Sequence, residues 1–94
     1  MKKITELKRK RKEIDLIDRE LLSLLNQRIR IALKIGRVKK EMGGKIYDPA
    51  REKEVLERLR TRNKGPLKEK NLKKIFKTIM EVCRKSENRI KPKR

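Results

Sequence analysis

Residues 4–42, ITELKRKRKEIDLIDRELLSLLNQRIRIALKIGRVKKEM, contain no proline and carry their apolar residues at the spacing of one uninterrupted helix. Through Leu7, Arg11, Ile14, Asp18, Leu21, Leu25, Arg28, Ala32, Ile35 and Lys39 the steps alternate between four and three, the pattern of a helix face meant for burial. Cations at Arg11, Arg28 and Lys39 interrupt that face. A buried charge without a partner is strongly destabilising, so these three positions call for water or for something negative.

Helix geometry separates the three cations into two groups. Arg28 and Lys39 are 39 − 28 = 11 residues apart, which is about 20° around the helix and roughly 16 Å along it, so their long side chains can converge on one small ligand. Arg11 and Arg28 are 28 − 11 = 17 residues apart, roughly 25 Å along the axis, too far to share that ligand from one helix. Arg11 is therefore expected to serve the site of a second copy. A helix of this length, roughly 58 Å, is also too long for two short helices of its own chain to cover. Antiparallel pairing of two such helices answers both problems.

Downstream, Gly43-Gly44 offers a left-handed cap that ends the long helix, and Lys45-Ile46-Tyr47 forms a short connection. Asp48-Pro49 is a start signal, an N-cap followed by proline at the first helical position, and Val55, Leu56 and Leu59 give the second helix a narrow apolar face. In D-P-A-R-E, Asp48 to Glu52, Arg51 shares a side with Val55 and Glu52 with Leu56 and Leu59, so one or both can face inward at a helix N-terminus that favours anions. Gly65-Pro66 separates a third helix, with Leu72, Ile75, Phe76, Ile79, Met80, Val82 and Cys83 on its apolar face and Glu87 continuing it. The expectation is an all-α chain of one domain, with one long helix at about 4–42, two shorter ones at about 49–63 and 66–89, and a basic C-terminal tail at 90–94.

Composition narrows the function. Ninety-four residues with 34% apolar content bury a thin core, which again favours association. No apolar run approaches a membrane span and Lys2-Lys3 leads into an amphipathic helix, so a cytoplasmic protein is expected. With one cysteine, Cys83, and no histidine, an intramolecular disulfide, a zinc site and a histidine-based catalytic triad are excluded. A net charge of +19 ordinarily signals a nucleic-acid partner. Here the basic residues spread over all three helices, and one Phe and one Tyr leave little to stack on bases, which argues against it. Charged residues at 48% also fit a protein from a hot environment, where ion-pair networks replace a larger core.

Three segments together resemble the small all-helical class of chorismate mutase. R-K-E-I-D-L-I-D at Arg11 to Asp18 is similar to its first motif, R-I-R-I-A-L-K-I-G-R-V-K at Arg28 to Lys39 to its second, and D-P-A-R-E at Asp48 to Glu52 to its third. The resemblance implies an intertwined helical homodimer without cofactor. It implies that Arg28, Lys39, Arg51 and Glu52 of one subunit enclose the chorismate dianion, with Arg11 from the other subunit and the backbone N–H of Asp48. Arg11 and Arg28 would grip carboxylates, Arg51 would help fix that end, Glu52 would accept from the ring hydroxyl, and Lys39 would donate to the ether oxygen. Glu87 stands where many members carry glutamine as a second donor to that oxygen. A carboxyl group donates only when protonated, so activity should fall as pH rises. Cys83 replaces a frequent serine near a substrate carboxylate.

Plainer readings stand beside these. An arginine on a helix stripe ordinarily snorkels to water, but three cations on one face plus the downstream Arg51-Glu52 pair favour function. Asp48 serves equally as a plain N-cap, Cys83 as a packing residue, Asp15 and Asp18 as structural groups, and Gly36 as a point of close helix packing. A basic nucleic-acid-binding helical module and a non-catalytic coiled-coil dimer remain the alternatives, separable from the enzyme by chorismate turnover and by salt-dependent retention of nucleic acid.

Overall fold

A computed structural model describes residues 1–89; the basic tail expected at 90–94 lies outside the described residues. Helix α1 spans Lys2–Glu41, α2 Pro49–Arg62 and α3 Glu69–Asn88, with no strand among the described residues. Long α1 ends as its sequence demands. Gly43 adopts φ +71°, its N–H donates to the Lys40 carbonyl at 3.1 Å, and the Gly44 N–H donates to the Lys39 carbonyl at 2.8 Å. These two bonds form a Schellman cap, which satisfies carbonyls that a helix end otherwise leaves open.

Helix α2 begins with Asp48 accepting from the Arg51 N–H through its side chain at 3.0 Å, followed by Pro49. Helix α3 starts at Glu69, three residues later than the sequence suggests. The difference lies in Asn63, whose side chain accepts from the Gly65 N–H at 2.9 Å and donates to the Leu67 carbonyl at 2.7 Å. These bonds hold the chain through Leu67 in a turn, so the helix cannot begin at Pro66.

Both α1 and α2 pack on α3, and not on each other. The core is correspondingly small: Ala32, Leu72, Met80 and Cys83 are the buried apolar side chains, and Ala32 and Gly36 are the buried residues of α1. These two small residues lie one turn apart on the same side of α1. The first 27 residues are exposed throughout, including Leu7, Ile14, Leu21 and Leu25 of the periodic face. The chain extends 63 × 30 × 15 Å with a radius of gyration of 17.7 Å, against about 12 Å for a compact chain of this length. The longer N-terminal part of α1, residues 2–27, thus has no cover from its own chain.

Candidate active site

The C-terminal half of α1, the start of α2 and the end of α3 meet where the cationic face of α1 becomes half-buried. Arg28 and Lys39 leave α1 on the side facing α3. Arg28 donates from Nη1 to Cys83 Sγ at 2.9 Å, and Lys39 donates from Nζ to the Ile46 carbonyl at 2.8 Å, tying the α1–α2 connection back onto the helix. From α3, Cys83 and Glu87 lie one turn apart on the buried face. From α2, Glu52 turns inward and accepts from Arg84 Nη1 at 2.6 Å, with both side chains 26% exposed. The Arg84 guanidinium also lies over the Tyr47 ring, 4.4 Å from its centroid.

Glu87 is the electrostatic centre of this group. It is 8% exposed, and burial pushes its carboxyl above the ordinary value of 4.5; Lys39 and Arg28 oppose the shift, Glu52 adds to it, and Arg84 opposes it. The carboxyl is therefore easier to protonate than one in water, although cations surround it. Its pairing with Glu52 raises Arg84 above the ordinary guanidinium value. The site thus offers three cations, a carboxylate acceptor and a carboxyl able to carry a proton. That set suits a small anion with a hydroxyl group.

Of the residues expected from the sequence, Arg28, Lys39, Glu52, Cys83 and Glu87 come together, and Asp48 caps the helix beside them. Arg51 does not join them in the single chain, because its guanidinium pairs with Glu54 at 2.9 Å on the exposed side of α2. Arg11 lies on the exposed half of α1. Arg84 and Tyr47 are additions. The available signal was Arg84 at i−3 from Glu87 inside the apolar run of α3, an awkward place for a cation without a partner. No cluster of three or more His, Cys, Asp or Glu among the described residues is placed to hold a metal ion, and no described helix is long and apolar enough to cross a membrane.

Comparison with known proteins gives a consistent picture. The family model described as chorismate mutase type II matches residues 10–88. A bifunctional chorismate mutase/prephenate dehydratase of Aquifex aeolicus is 40% identical over 90 residues, covering 92% of this chain and 25% of that protein. The chain therefore spans about a quarter of the length of the first curated relatives it matches. Among solved structures, a chorismate mutase from Thermus thermophilus superposes with a TM-score of 0.88 at 39% identity, over 89% of this chain and 96% of that one. A Helicobacter pylori chorismate mutase in complex with prephenate does so with a TM-score of 0.84 at 36% identity, over 93% and 99%.

Proposed function

The chain belongs to the type II chorismate mutase family, and on that premise we propose that it catalyses the Claisen rearrangement of chorismate to prephenate on the route to phenylalanine and tyrosine. The observation that carries this reading is the convergence of Arg28, Lys39, Glu52 and Glu87 from three helices in a chain with no histidine. The rearrangement breaks a carbon–oxygen bond and forms a carbon–carbon bond within one molecule, so it needs neither nucleophile nor cofactor. It needs the flexible dianion held in its compact reactive conformer, and a donor for the charge that grows on the ether oxygen.

Arg28 takes one substrate carboxylate, leaving Cys83 to line that pocket. Lys39 exchanges the Ile46 carbonyl for the ether oxygen, and protonated Glu87 donates to the same oxygen from the opposite helix. Glu52 accepts from the ring hydroxyl and the backbone N–H of Asp48 supports that end, which Arg51 joins only by leaving Glu54 on the exposed side of α2. Arg11 of a second subunit takes the other carboxylate. We take the working form to be a homodimer, because the exposed apolar positions of α1 continue the same face that carries Arg11. The test is loss of chorismate absorbance on adding purified protein, with prephenate as product. A folded protein that leaves chorismate unchanged would refute the assignment.

A further inference from the structure

Arg84 has no place in the reaction as described, yet it is the most constrained cation of the cluster. The ion pairs Lys10–Glu13, Arg51–Glu54 and Lys85–Glu81 join neighbouring turns of one helix with side chains about half exposed, and pairs of that kind contribute little. Arg84–Glu52 differs in joining α3 to α2 across 32 residues with both side chains about three-quarters covered. The Tyr47 ring closes the other face of the same guanidinium, so the α1–α2 connection takes part as well. A planar cation stacked on a ring and bonded to a carboxylate has little rotational freedom, and neither has the carboxylate.

The geometry points to Arg84 as a positioning residue that aims the Glu52 carboxylate at the substrate hydroxyl and keeps it apart in role from Glu87, the carboxyl that donates. The charged groups facing Glu87 are Arg28 and Lys39 from α1, Glu52 from α2 and Arg84 from its own helix. Without Arg84, Glu52 is free to turn, and one cation opposing protonation of Glu87 is gone. This assignment rests on the proposed mutase activity and goes beyond it, since it concerns a residue that need not touch the substrate.

Arg84→Met keeps length and removes charge, and Arg84→Lys keeps charge but not the planar stack. In the full-length protein with chorismate, Arg84→Met is expected to lower kcat/KM about ten- to a hundredfold, mainly through KM, as for loss of a charge-assisted hydrogen bond. The descending limb of its pH profile should move to higher pH. Arg84→Lys should recover part of the loss, and Glu52→Gln/Arg84→Met should be no worse than Glu52→Gln alone, because Arg84 acts through Glu52. A merely structural role predicts a lower Tm with KM and the pH limb unchanged, or additive losses in the double variant; either outcome overturns the assignment while leaving the mutase reading intact. A folded wild type that does not turn over chorismate overturns both.

Discussion

Glu87 combines two demands at the residue scale, since the same burial that raises its pKa also makes its ionised form costly to the fold. Its folded value lies above the ordinary 4.5, so the folded state binds the proton more tightly than the unfolded state. The stability it contributes is therefore complete below the unfolded value and lost as pH rises through the folded one. Glu87→Gln should accordingly raise Tm relative to the wild type above the folded pKa, with the advantage shrinking as the solution is acidified; thermal melts across pH measure it. In the proposed reaction the same group donates to the ether oxygen only while protonated. Wild-type kcat/KM should fall as pH passes the folded pKa of Glu87, and Glu87→Gln should flatten that limb, because an amide donates at any pH. An unchanged slope in the variant would assign the limb to another group.

At the scale of elements, the helix ends place the site. The Schellman cap at Gly43 turns the chain sharply enough for Lys39 to bond the Ile46 carbonyl, and the Asp48 cap sets the direction in which α2 presents Glu52. A Cβ on Gly43 would meet nothing within 4 Å, so Gly43→Ala isolates the backbone cost of positive φ. That cost should be about 1 kcal/mol by denaturant titration. Removing the other cap with Asp48→Ala should cost a similar ~1 kcal/mol and raise KM, because the first turn of α2 carries Glu52. Both caps were legible as Gly43-Gly44 and Asp48-Pro49, since local backbone chemistry alone sets them. The start of α3 was not, because the bonds made by Asn63 that hold Leu67 out of the helix have no simple sequence signature.

For the whole molecule, the decisive quantity is the length of α1 that its own chain leaves bare. Leu21, 51% exposed, stands within that length, and burying the remaining half of such a side chain against a partner contributes about 1 kcal/mol. On the proposed shared site, Leu21→Glu should halve the mass seen by light scattering and abolish turnover together, because a separated chain would lack the Arg11 of a second copy. A subunit-exchange experiment tests the sharing directly. Inactive Arg11→Ala and inactive Arg28→Ala proteins, mixed and allowed to exchange, should recover about a quarter of wild-type activity, as half the dimers then hold one intact site of two. No recovery after demonstrated exchange would place Arg11 outside the site.

Sequence alone determined that there are three helices, the end of α1, the start of α2 and the cationic face, because helix periodicity and turn chemistry are local properties of the chain. It also brought Arg28 and Lys39 together, since one rigid helix carries both. Tertiary structure decided what depended on two helices meeting: that Glu52 rather than Arg51 turns inward from α2, that Glu87 is buried enough to hold a proton, and that Arg84 bridges α3 to α2 over Tyr47. The physical reason is that burial and charge pairing belong to the packed arrangement. Neighbouring residues on one helix can differ in both, as Arg51, paired within α2 on its exposed side, and Glu52, paired across to α3, do.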